Sequence, residues 1–172
     1  MQYKSLSDLL DIAAQKKEPP FILILDGIED PQNFGAILRS AEGAGVHGVV
    51  FRKARQAPIS ETVRRVATGA VDLVPIARVA NIAEAIRFFK NEGLVVFGVE
   101  IDGKRLYNEP DYRGGIALVI GSEGKGLAHL VKERVSEVVK LPMRGRINSL
   151  NVSVAAGIVL YEVLRQRGTP KA

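Results

Sequence analysis

Six short runs of apolar, mostly β-branched residues recur along the 172-residue chain, at 21–25, 48–51, 72–76, 94–99, 116–120 and 138–141. They are apolar at successive rather than alternate positions, as strands covered on both faces are. Stretches with helical spacing separate them, over 34–44, 60–68, 82–91, 127–136 and 150–167. Strands alternating with helices in this way build βαβ units, so the expected fold is α/β with a mostly parallel six-stranded sheet flanked by helices. In the last helix Leu150, Val154, Ile158, Tyr161 and Leu164 share one face, and Arg165-Gln166-Arg167-Gly168 supplies a cationic last turn and a glycine stop. Its Ala155-Ala156-Gly157 patch lets another backbone come close, either inside the domain or across a dimer interface.

A chain of this length buries about 70% of its unfolded surface and forms one domain without a staple. It has no cysteine, which excludes a disulfide framework, a thiolate metal site and a Cys nucleophile together. No apolar run approaches the roughly 20 residues of a membrane span, and Met1-Gln2-Tyr3-Lys4 opens no signal peptide, so a cytoplasmic setting is expected. The net charge of +5 leans mildly toward polyanions. Residues 1–20 read as an N-terminal helix and linker ending at Glu18-Pro19-Pro20, 21–168 as the main folded unit and 169–172 as a tail.

In parallel sheets ligands bind beyond the carboxyl ends of the strands, which directs attention to the loops there. After the first strand, Asp30-Pro31 favours a turn, and Asn33 serves equally as a helix cap or as a functional group. Gly35 permits close approach, and Arg39 follows at helical spacing on the same side. After the fifth strand comes Gly121-Ser122-Glu123-Gly124-Lys125-Gly126, a backbone that bends sharply or lets a ligand lie against its amides. It lacks both the Walker and the dinucleotide spacing, so nucleotide hydrolysis and NAD binding are rejected. The sixth strand runs into Leu141-Pro142-Met143 and then Asn148-Ser149-Leu150-Asn151-Val152-Ser153. One helix start uses fewer short polar side chains than this: with Asn148 as cap and Ser153 bonding within the helix, Ser149 and Asn151 are left over. Neither His47 nor His129 lies in these loops, so no hydrolase triad is available.

Together the three loops resemble the three motifs of the SpoU branch of the SPOUT class of RNA methyltransferases. Asn33 to Arg39 matches the first, Ile120 to Gly126 the second, and Leu141 to Met143 with Ser149 to Ser153 the third. Within the branch the chain is most similar to the 23S ribosomal RNA guanosine 2′-O-ribose methyltransferases, and the transfer RNA members share the motifs. The resemblance implies a deep C-terminal trefoil knot, a homodimer whose sites are each completed by the partner, and S-adenosylmethionine held in the knotted loops. By position Ile120, Gly121, Glu123, Gly124, Leu141, Met143, Ser149 and Leu150 would meet the cofactor, largely through backbone groups. Catalytic roles fall to Arg39, Asn33, Glu123, Ser149 and Asn151, and no metal is required. Family reasoning gives Arg39 the activating role. A guanidinium with pKa above about 12 is a poor base, so it is read as an electrostatic partner of the adjacent phosphate and the developing alkoxide. Asn33, Ser149 and Asn151 would then orient the ribose and the loops.

For the RNA, Arg52, Lys53 and Arg55 after the second strand and Arg64 and Arg65 on the next helix form a phosphate-tracking surface, joined by Arg144 and Arg146 beside the cofactor loop. Ribosomal members of the branch usually carry a small N-terminal RNA-binding domain, whereas here only the segment before Pro19 precedes the catalytic part. A non-catalytic RNA-binding module on the same scaffold is the competing reading, and intact Asn33, Arg39, Glu123, Ser149 and Asn151 favour the enzyme. An unrelated doubly wound small-molecule enzyme survives only if the motif match is accidental.

Overall fold

Every strand of the central sheet is parallel to its neighbours, so each must be reached by a crossover and each helix comes to lie on one of the two faces. The computed structural model describes residues 1–168; the expected tail 169–172 lies outside the described residues. The seven strands are β1 (Phe21–Asp26), β2 (Gly48–Arg52), β3 (Ile76–Val79), β4 (Val95–Val99), β5 (Arg105–Leu106), β6 (Ile116–Gly121) and β7 (Glu137–Lys140), in the order β3-β2-β1-β6-β4-β7-β5. The helices are α1 (Leu6–Lys16), α2 (Pro31–Gly43), α3 (Glu61–Ala67), α4 (Ala70–Leu73), α5 (Ile82–Asn91), α6 (His129–Arg134) and α7 (Val152–Arg167).

Burial on both faces accounts for the unbroken apolar runs. Phe21, Leu23 and Leu25 of β1 join Leu118 and Ile120 of β6 in one core, closed by Phe34 and Ile37 of α2, Val63 of α3, and Val159, Leu160 and Val163 of α7. Ile22 and Ile24 point the other way, with Ala117 and Val119, into a second core closed by Leu9 of α1, Ile86 and Phe89 of α5, and Val131 of α6. Residues 1–20, set apart by the sequence, pack against the sheet: Leu9 fills the space over Gly48, and the Lys4 amide donates to the Ile76 carbonyl oxygen at 2.8 Å.

Two expectations are corrected. Residues 72–76 do not form a strand: Gly69, at φ 93°, restarts the chain into the short α4, and β3 begins only after Pro75, which cannot donate to a ladder. The sheet has seven strands rather than six, because the two-residue β5 is too short for any hydrophobic pattern; its register with β7 is reinforced by an Arg105–Glu137 ion pair at 3.1 Å.

The last strand in the chain, β7, lies between β4 and β5, so the connection from β4 to β5 crosses over it. This is the threading of the expected trefoil knot, an exception to the rule that chains avoid knots. At the crossing a Cβ on Gly103 would stand 2.5 Å from the Val139 carbonyl carbon, so only glycine lets the two backbones pass.

At the opposite end of the sheet His47 is buried; its Nδ1 accepts the Phe21 amide proton at 3.0 Å, which leaves Nε2–H to donate to Glu18 at 2.9 Å. Burial holds the imidazole below its ordinary pKa, against the opposing pull of Glu18. The unfolded chain therefore binds the proton more readily, and stability that is complete above about pH 6.5 is lost as pH falls below it. Thermal unfolding followed from pH 7.5 to 5 should show this fall in the parent protein and a flatter profile in His47→Gln; parallel profiles would refute the role of His47.

Candidate functional site

The three loops singled out by the sequence meet at the carboxyl ends of β1, β6 and β7. Between the second and third of these loops and the β4–β5 connection lies a cavity of about 750 Å³. One wall is the glycine turn Gly121 to Gly126, another is Leu141, Met143 and residues 148–152 with Ala155, and a third is Val99 to Asp102 at the β4–β5 crossing. The volume lies within the range of small-molecule and cofactor sites.

The glycine turn is a closed loop. Ser122 and Gly126 exchange both backbone hydrogen bonds, at 3.0 and 2.9 Å, which leaves Glu123-Gly124-Lys125 at the tip. Gly124 (φ 76°) and Gly126 (φ 66°) take the left-handed conformation this requires. Gly121 packs directly on the Gly126–Leu127 backbone, where no side chain fits.

A chain of side-chain amides stitches the three motifs together. The buried Asn33 donates through Nδ2 to Glu123 Oε1 at 2.5 Å and to Asp30 at 3.1 Å. Asn151 donates through Nδ2 to Asn33 Oδ1 at 3.0 Å and to Glu123 Oε1 at 3.5 Å. Asn151 Oδ1 meanwhile accepts the Ser153 and Val154 amides at 2.9 and 3.3 Å, capping α7. The caps differ from the expected ones: Asp30, not Asn33, caps α2, and Asn151, not Asn148, caps α7. Asp30 caps α2 through Oδ1, so Asn33 keeps its amide for the network, whereas Asn151 caps α7 through Oδ1 and reaches the other motifs through Nδ2.

The remaining expected site residues divide by position. Ile120, Gly121, Glu123, Gly124, Leu141, Met143, Ser149, Leu150 and Asn151 line the cavity. Ser149 makes no hydrogen bond among the described residues and is exposed, so its hydroxyl is available to a ligand. Asn33 sits behind Glu123 and Asn151 rather than on the wall. Arg39 is exposed on α2, two turns beyond Asn33, and does not line its own chain's cavity. Gly35, one turn before it, is tight against Val63 and Val66 of the α3 region, so its lack of a side chain serves helix packing and not a ligand.

Of the expected RNA-facing cations, Arg52 approaches Asp26 at 3.8 Å and Arg64 pairs with Asp72 at 3.0 Å. Lys53, Arg55, Arg65, Arg144 and Arg146 are exposed and form no ion pair among the described residues. Residues 142–151 are all exposed, and so are Val154, Ile158 and Tyr161 of α7. The apolar face that periodicity picks out on α7 thus points outward, while Val152, Ala156, Val159, Leu160 and Val163 carry the helix onto the sheet.

Glu100, Ile101 and Asp102 were missed by the sequence reading. They follow the fourth strand, and the rule that ligands collect beyond strand ends would have pointed to them. Lys132 of α6 bonds both acids, Asp102 at 2.5 Å and Glu100 at 3.0 Å. Those bonds, the one to Asp102 foremost, raise the lysine pKa, and the Lys132 hydrogen bond holds the Asp102 carboxyl below its ordinary value.

The model of the SpoU rRNA Methylase family matches residues 20–161, nearly the whole of this architecture. The chain belongs to that family. It is 45% identical over 164 residues to a 23S rRNA (guanosine-2′-O-)-methyltransferase RlmB of Coxiella burnetii, covering 95% of this chain and 66% of the relative. The RlmB of Escherichia coli strain K12 is 43% identical over 166 residues, covering 96% of this chain and 68% of the relative. Among solved structures, an AdoMet-bound rRNA methyltransferase from Sinorhizobium meliloti superposes with a TM-score of 0.86 at 30% identity, covering 98% of this chain and 63% of that one. The chain therefore spans about two thirds of the length of these SpoU relatives.

Capping and bridging by Asn151 can be separated. Asn151→Ser keeps an acceptor of nearly equal capping strength, so α7 keeps its cap, while both amide bonds to the other motifs are lost and stability falls by about 1–3 kcal/mol for the Asn33 oxygen left without a donor. Methyl transfer should fall at least about tenfold for two lost hydrogen bonds, one of them to a carboxylate. Unchanged activity at unchanged stability would show that the bridge is dispensable.

Proposed function

We propose that this chain transfers a methyl group from S-adenosylmethionine to a ribose 2′-hydroxyl of RNA, the substrate being a guanosine of 23S ribosomal RNA. The observation that carries the reading is the convergence of all three SpoU motifs, through Asn33, Glu123 and Asn151, on one cavity at the knot. The two RlmB relatives support the nucleoside and the RNA, and the AdoMet-bound neighbour supports the donor.

The residues present fit that donor. Ile120, Leu141, Met143 and Leu150 offer apolar surface for an adenine, and the backbone of the glycine turn offers polar groups. At Gly124 a side chain would meet open space, so the backbone there is uncovered. When bound, S-adenosylmethionine supplies an electrophilic methyl on a sulfonium, and no metal is called for.

This chain's residues must then align the 2′-oxygen and stabilise it as its proton departs. Glu123 is already an acceptor for two amides, which suits it to holding the loops and not to taking the proton. Asn33 is likewise spent on its neighbours, so it fixes the motifs relative to one another, while Ser149 is free to bond the ribose or the donor. Arg39 has no partner among the described residues, and its permanent charge suits it to neutralising the adjacent phosphate and the developing alkoxide. The proton leaves to phosphate or water.

Because Arg39 is outside its own cavity, the site is completed across a homodimer. The outward apolar face of α7 and the wholly exposed 142–151 segment support that assembly: patches of this kind mark interfaces. The RNA would follow Lys53, Arg55, Arg65, Arg144 and Arg146, with Arg52 and Arg64 held by their acidic partners. Residues 21–168 form the catalytic unit, with the N-terminal helix docked on it. Among the described residues no helix is long and apolar enough to cross a membrane; the cytoplasmic setting we propose rests on the ribosomal RNA substrate of the RlmB relatives.

Mapping 2′-O-methylation in RNA from cells with and without the gene tests substrate and site at once; loss of one guanosine mark in 23S RNA is expected, and an unchanged map contradicts the reading. Arg39→Ala should lower kcat by about 10²–10³-fold while donor affinity changes little. Equal losses in both would place Arg39 in donor binding instead. Mixing this inactive variant with an inactive cavity variant such as Gly121→Val should restore up to about a quarter of parental activity, since half the dimers at random mixing carry one intact composite site. No recovery would assign Arg39 to its own chain's site.

A further inference from the structure

We infer that Glu100 is the positioning residue of the donor cavity, gripping the exit of the glycine turn so that the turn holds the shape the donor binds. This rests on the donor reading above. β6 is flanked in the sheet by β1 and β4, and each neighbour ends in an acid. Asp26, the last residue of β1, accepts the Ala128 amide at 2.9 Å. Glu100, the residue after β4, accepts the Leu127 amide at 3.0 Å. Two successive amides, emerging directly from the turn, are thus held by carboxylates from the two strands on either side.

The Glu100 grip is the closer to the cavity. Its Oε1 occupies the space that a side chain on Gly126 would need, which couples the glycine at 126 to the acid at 100. Its Oε2 meets Lys132 Nζ at 3.0 Å, and the side chain is only 15% exposed. Its own backbone amide donates to the Val139 carbonyl oxygen of β7 at 2.9 Å. One residue therefore joins the knot crossing, β7, α6 and the turn, and with Ile101 and Asp102 it forms part of the cavity wall. Nothing else among the described residues accepts the Leu127 amide, and a partly buried donor left without a partner is costly, so without Glu100 the turn has reason to shift. Because the grip acts on the wall and not on the 2′-oxygen, it governs donor affinity and not the methyl-transfer step.

The test uses the intact protein with S-adenosylhomocysteine as the calorimetric probe, steady-state kinetics with S-adenosylmethionine, and amide exchange across 121–128. Glu100→Ala should weaken binding about tenfold, as loss of a charge-assisted hydrogen bond does, raise KM for the donor in parallel and leave kcat within about threefold. Amide exchange should rise at Leu127. Glu100→Gln keeps an acceptor for that amide and should restore most of the affinity and the protection. Should Glu100→Ala fail to fold, Lys132→Met, which removes the shared counter-charge of Glu100 and Asp102, should shift KM in the same direction by a smaller factor. Parental protein that binds no probe would overturn the donor reading itself. Binding by the parent with equal binding by Glu100→Ala, or a fall in kcat at constant KM, would overturn the inference alone.

Discussion

The passage of β7 beneath the connection from β4 to β5 is the constraint on which the site depends. At that crossing the backbone of Gly103 lies against Val139, and the Glu100 amide is bonded to the Val139 carbonyl oxygen. The crossing fixes where β7 ends, and therefore where Leu141 to Asn151 must emerge. It also sets the acids of the β4–β5 connection beneath the glycine turn. A parallel sheet without this threading would leave the post-β7 segment free to leave the molecule, whereas here that segment closes the cavity.

Polar groups then convert proximity into a defined shape. Asn33, Glu123 and Asn151 each come from a different loop, and their mutual bonds leave few amide groups unspent. Such a network is favourable only when complete. This explains why residues with catalytic reputations by resemblance are, in the geometry, largely concerned with one another. Ser149 on the wall and Arg39 outside it have no internal partner among the described residues, and it is to these two that the proposed mechanism assigns the chemistry.

Much of this was legible in the sequence, and for identifiable reasons. Strands covered on both faces are apolar throughout, so the interior of the sheet could be read, and the three loops could be placed because each follows such a strand. The edge of the sheet could not: β5 has two residues, and β3 carries the exposed Arg78 and starts behind Pro75. On α7 apolar residues occur all round the helix, so spacing selected the face that points outward, while smaller Ala156, Val159 and Val163 pack inward. The role of Glu100 was invisible because a carboxylate gripping an amide 27 positions away leaves no local pattern. The separation of Arg39 from its own cavity was hidden for a like reason: helical spacing places it on a side of α2 but does not say what that side faces.

The most direct measurement is a crystal structure of the protein with S-adenosylhomocysteine. The account requires the ligand between the Ile120 to Gly126 turn and the Leu141 to Leu150 segment, with Arg39 of one subunit facing the sulfur held by the other. Ligand density elsewhere on the sheet, or a monomer with each Arg39 remote from any donor, would contradict it.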